Sequence, residues 1–134
     1  MNFLNFLIYW AGFVLLMIFL ANFIAPKKLN YAENINRMEN FHRQVFCVHC
    51  GYTALTLLAM ALVCGFYNDE LVTAEKGSLA WAGCLFMAIF WGTRVVVQIV
   101  YYDKAMKKRY PVFNIMFFIA FAYLAVIFTF LTIN

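Results

Sequence analysis

Few residues in this sequence can do chemistry away from water. Arg94 and Gln98 stand four apart, which places them on one face if the segment is helical. Trp91, Tyr101 and Tyr102 flank that stripe. A second stripe, His42, His49, Tyr52, Thr53 and Thr56, repeats at helical spacing earlier in the chain. An arginine withdrawn from water must satisfy five N–H donors. All 6 acidic residues, Glu33, Glu39, Asp69, Glu70, Glu75 and Asp103, fall outside the apolar runs, so none is a neighbour of Arg94 along its own span. The groups left to meet the guanidinium are backbone carbonyls, a lipid phosphate reached by snorkelling, a partner subunit or a bound anionic ligand.

The histidines and cysteines allow several chemistries. His49 reads as a hydrogen-bonded packing residue, a proton carrier, or a ligand to haem or a metal. His42 reads as an interfacial, lipid-contacting side chain. In Cys47-Val48-His49-Cys50 the two thiols are three apart. A structural zinc needs four closed ligands, and no second pair follows, so no metal site is expected. The histidine lies inside the cysteine pair, unlike the haem-attachment pattern, and the thiols read as small polarisable packing residues. Cys64 and Cys84 fall at similar depths near the ends of their runs, which leaves a bridge geometrically open.

The elements that position these residues follow from composition. The chain has 134 residues, 66% apolar and 12% charged. Soluble domains carry about a quarter charged residues, so the surface of this chain is matched to lipid. Spanning a bilayer core in helical form takes about 20 apolar residues. Four runs qualify, at about 3–25, 45–67, 79–102 and 112–133, and they use most of the chain, leaving a single domain. The first run has no basic stretch ahead of it and is longer than a signal peptide core, so it reads as a membrane helix closed by Pro26, Lys27 and Lys28. The expected fold is an all-α, integral membrane four-helix transmembrane bundle.

Basic residues set the expected orientation. Lys27, Lys28, Arg37 and Arg43 lie in segment 26–44, and Lys104, Lys107, Lys108 and Arg109 in segment 103–111. Segment 68–78 has only Lys76, beside three acids. The positive-inside bias places the first two segments in the cytoplasm and both termini on the outer side of a plasma membrane. The net charge of +4 then reflects contact with anionic lipid on the cytoplasmic side, with His42, Trp91, Lys107, Lys108 and Arg109 at the interface, and not nucleic-acid binding.

Within 26–44, Asn30 and Glu33 have capping spacing, and Tyr31, Ile35, Met38, Phe41 and Val45 recur at helical intervals. These predict that the second helix starts near Tyr31 in the cytoplasm and runs unbroken into the membrane, a rod of roughly 37 residues and about 55 Å. Ser78 is the expected N-cap of the third helix, which is expected to project into the cytoplasm and end near Arg109. His49 and Gln98 then lie about 6 Å, and Arg94 roughly 12 Å, inside the cytoplasmic ends of their helices, so the two polar stripes match in depth. Gly51, Gly65, Gly83 and Gly92 are expected to permit close helix contact.

The arrangement resembles the MAPEG family, the membrane-associated proteins of eicosanoid and glutathione metabolism. The resemblance rests on Arg43-Gln44-Val45-Phe46-Cys47-Val48-His49 in helix 2, and on Arg94 with Tyr101 and Tyr102 in helix 3. The family's helix 2 asparagine and glutamate fall at Phe46 and His49, and its following proline is absent. The resemblance implies a homotrimer binding glutathione between subunits, with Arg94 stabilising the thiolate, since a nearby cation lowers a thiol's pKa.

Three functions are thus in play, and whether the protein is an enzyme stays open. It is a non-catalytic subunit or scaffold, a homo-oligomer or part of a membrane complex, whose polar cluster (Arg94, Gln98, His49, Tyr52, Tyr101) meets a partner helix, lipid headgroup or small anionic ligand. Alternatively it is a glutathione-dependent enzyme, or a haem- or quinone-binding subunit using His49. Inverted repeats and carboxylate relays, the marks of a transporter, are lacking, and no nucleophile–base pair is evident. The subunit reading is preferred because residues able to do chemistry are so few.

Overall fold

The computed structural model describes residues 2–28, 30–101 and 108–133. Its helices, in chain order, are α1 (Phe3–Lys28), α2 (Tyr31–Asn36), α3 (Asn40–Phe66), α4 (Asn68–Val72), α5 (Leu79–Val100) and α6 (Pro111–Ile133). Four of these, α1, α3, α5 and α6, are long and apolar enough to cross a membrane. Helix is the form such segments must take, because lipid offers no hydrogen bonds to backbone N–H and C=O groups. Their outer surfaces agree: Phe13, Leu20, Leu62, Phe86, Ile89, Ile119 and Val126 are all exposed. A water-soluble protein seldom shows so continuous an apolar surface.

The chain divides into two compact units, residues 1–11 with 67–134, and residues 12–66. In the first, α5 packs along α6. The buried positions of α5, Cys84, Met87, Trp91 and Gln98, fall three, four and seven apart, the stripe a helix presents to one neighbour. Phe121, Leu124, Ile127, Phe128 and Leu131 form the buried stripe of α6. The Trp91 and Phe121 rings stack at 5.4 Å and 30°. The start of α1 is tied to this unit by polar bonds. Asn5 donates to the Asp69 carboxylate, Asn68 Nδ2 donates to the Asn5 carbonyl at 3.0 Å, and Tyr123 donates its hydroxyl to the Leu7 carbonyl at 2.7 Å. Ser78 caps α5, its Oγ accepting from the Trp81 N–H at 3.1 Å. The Trp81 indole donates to the Thr132 carbonyl at 3.1 Å and pins the start of α5 to the end of α6.

In the second unit, α1 meets α3 at Gly12. A methyl group there would sit 3.1 Å from Cys64 Cβ and 3.4 Å from the Ala61 carbonyl oxygen. Only a residue without Cβ lets the backbones come this close without displacing a neighbour. At the four glycines expected to do so, nothing among the described residues lies within 4 Å of a Cβ built at Gly51, Gly65, Gly83 or Gly92.

The second helix is not the continuous rod expected. It breaks at Arg37–Glu39, leaving α2 as a short helix ahead of α3. Asparagine is the cause nearest at hand. Asn34 and Asn36 are poor helix formers, and Asn40 opens α3, where its Oδ1 accepts from Arg43 Nη2 at 3.0 Å. Asn30 does occupy the N-cap position of α2, but with φ 51° and no side-chain cap. Asparagine tolerates this left-handed conformation. At the other end of its span, α1 continues through Pro26 to Lys28, where only the final turn loses a bond to the missing N–H.

Candidate functional site

The polar stripe of α5 turns toward α6. Gln98 is 9% exposed, and its Nε2 donates to Asn114 Oδ1 at 2.7 Å. One turn away, the Arg94 guanidinium carbon lies 5.4 Å from the centre of the Phe121 ring. A cation over an aromatic face gains roughly 0.5–2 kcal/mol, more where water is excluded. Trp91 completes the stripe at 1% exposure, stacked on the same Phe121 ring. Its Nε1 has no hydrogen-bond partner among the described residues. The stripe is thus a packed interhelical seam of one cation, one amide pair and two aromatic rings.

The stripe of α3 is arranged differently. His42, His49, Tyr52 and Thr53 are exposed, Tyr52 at 65%. Cys47 and Cys50, on either side of His49 in the sequence, are also exposed free thiols. The hydroxyls of Thr53 and Thr56 turn back onto their own helix, donating to the carbonyls of His49 and Tyr52 at 2.9 Å each. This bonding satisfies a threonine inside a membrane helix without a neighbour. His42 Nδ1 lies 3.4 Å from the Glu39 carboxylate, one turn back.

The remaining candidates lie apart from these two stripes. Tyr101 is the C-cap of α5 and 84% exposed. Lys108 and Arg109 are exposed, and the Arg109 guanidinium lies 5.6 Å from the Tyr110 ring centre. Tyr102 and Lys107, and with them the expected extension of the third helix to Arg109, lie outside the described residues. Cys64 and Cys84 are buried and are not joined by a disulfide. Among the described residues, no three His, Cys, Asp or Glu side chains are grouped so as to hold a metal ion.

Five participants have no place in the sequence reading. Asn114 supplies the partner of Gln98, and its signal is available: it is the one amide in the fourth apolar run. The Asn5, Asn68 and Asp69 cluster had no local signal, because its partners lie more than 60 positions apart. Tyr123 had none either, since one tyrosine among so many aromatics does not announce a carbonyl acceptor.

What fold and site define together is an all-helical protein with four helices able to cross a membrane, holding one polar seam within a helix pair and one exposed polar stripe on another span. Comparison with protein-family models, with curated proteins and with solved structures finds no match.

Proposed function

We propose that the protein is a small multi-pass membrane subunit or scaffold that joins a partner helix through the first half of α3. The supporting observation is the exposure of His49 and Tyr52, with Cys47 and Cys50, on a helix long and apolar enough to span a bilayer. Ionisable side chains within spans are costly when they face lipid, and they normally face a protein interior or another chain. Small and polar residues are also what membrane helix interfaces favour. In this reading the basic connections around 26–44 and 103–111 face the cytoplasm, and the α3 stripe lies in that leaflet. Arg94 and Gln98 act within the chain, holding α5 to α6, and do not form the docking surface.

The exposed thiols supply the test. Native membranes are treated with a copper–phenanthroline oxidant, which joins two close thiols as a disulfide, and the products are weighed by native mass spectrometry. The expected result is a covalent adduct lost in a Cys47→Ser, Cys50→Ser double variant. An adduct of twice the chain mass identifies a second copy, and a mixed mass identifies a different subunit. A monomer retaining only phospholipid, with no adduct, refutes the docking role. A homotrimer retaining glutathione would replace it with the enzymatic reading that the MAPEG resemblance implies.

A further inference from the structure

At the end of the first unit where α1 and α5 begin and α6 finishes lies a half-open cavity of about 720 Å3. Ligand sites commonly measure roughly 300–1,000 Å3. Leu4, Leu85, Leu131 and Ile133, all from the long apolar helices, give it an apolar lining. Glu75 and Lys76, both exposed and adjacent in sequence, add a carboxylate and an ammonium to that lining.

The pair is held in place by a tight turn. The Ser78 N–H donates to the Glu75 carbonyl at 2.9 Å, and Gly77 takes φ +92°. A positive φ at the third position of a four-residue turn is the glycine-requiring geometry of a type II turn. Ser78 is in turn committed to capping α5, and Trp81, one turn on, is fixed by its bond to Thr132. Glu75 and Lys76 therefore line the cavity on a turn fixed on its C-terminal side.

We infer that this cavity binds one zwitterionic phospholipid with a primary-amine headgroup, its acyl chain against the apolar lining residues and its head between Glu75 and Lys76. A carboxylate beside an ammonium matches a headgroup that carries an ammonium beside a phosphate. The surrounding segment 68–78 has three carboxylates against a single lysine, which disfavours a purely anionic head. The primary ammonium has three N–H donors for the Glu75 carboxylate, and a quaternary ammonium has none. Trp81 offers one indole, short of the aromatic cage that quaternary ammonium groups favour. The site is separate from the α3 stripe and does not rest on the docking role.

The test is native mass spectrometry of the purified full chain after equilibration with an equimolar mixture of ethanolamine, choline and glycerol phospholipids of identical acyl chains. The expected result is one retained lipid per chain, with the ethanolamine lipid favoured about fivefold, the factor an exposed charge pair supports. Glu75→Gln removes that preference, and Glu75→Lys shifts it to the glycerol lipid. Glu75 is exposed, so neither change disturbs folding. Equal retention of the three lipids by the wild type overturns the assignment. So does a preference that both Glu75 variants leave unchanged.

Discussion

Replacing Gln98 or Asn114 by leucine removes one side of a 2.7 Å amide–amide bond between α5 and α6. Deleting one partner leaves the other amide without its acceptor or donor at a site where Gln98 is only 9% exposed. An orphaned buried polar group costs about 1–3 kcal/mol. Asn114 is half-buried and lies in the first turn of α6, so Gln98→Leu should fall near the lower end of that range. Asn114→Leu, which orphans the more deeply buried Gln98, should cost more. The double variant replaces both amides with side chains that suit lipid, and it should recover most of the loss. In membrane proteins the coupling of such pairs averages about 0.6 kcal/mol and reaches about 1.7. A value in the upper half of that interval is expected here, given the short distance and the burial. The assay is a double-mutant cycle on reversible unfolding, with denaturing detergent titrated into mixed micelles. Single effects that add, to within the roughly 0.3 kcal/mol seen for unconnected sites, would refute the bond and with it the orientation of the α5 stripe.

Other perturbations probe separate parts of the molecule. Gly12→Val forces side-chain atoms against Cys64 and the Ala61 carbonyl, and overpacking of this kind costs about 1–3 kcal/mol; thermal unfolding in detergent should show the loss, with faster maleimide labelling of Cys64. In the wild type, Cys47 and Cys50 should label rapidly and Cys64 and Cys84 slowly, so a mass time course should pause at two adducts. Tyr123→Phe removes a 2.7 Å bond to the Leu7 carbonyl and should cost about 0.5–1.5 kcal/mol in the same unfolding assay. Gly77→Ala strains a backbone at φ +92° and should destabilise by about 1 kcal/mol, while weakening the lipid preference set by Glu75.

Some of this molecule was plain in the order of its residues, and some was not. The four spans were legible because each is a long uncharged run, and Ser78 was legible as a cap because capping is a local act. The break before α3 was misread. The apolar repeat from Tyr31 to Val45 is real, but it describes two short faces as well as it describes one long face. Asn36 and Asn40 were the evidence against a rod. The α5 stripe is legible as a shared face, matched in depth to the α3 stripe. The partner of Gln98 is Asn114, a lone amide that marks a polar position in its run without telling which residue it meets. Asn68 lay in a stretch that read as solvated connection, and its burial comes from the first turn of α1.

The bonds that tie Asn5 and Leu7 to Asp69, Asn68 and Tyr123 have a consequence for the order of assembly. Membrane helices are delivered one after another, and the Tyr123–Leu7 bond joins positions 116 apart. The first turn of α1 meets Asn68 and Asp69 once α3 and α4 are in place, whereas the Leu7 carbonyl waits for Tyr123 on α6. Contacts of such sequence separation form slowly, because the intervening chain must first be brought together. Until α6 arrives the Leu7 carbonyl lacks its Tyr123 donor, so the bond that closes the start of α1 onto α6 is among the last of the described bonds to form.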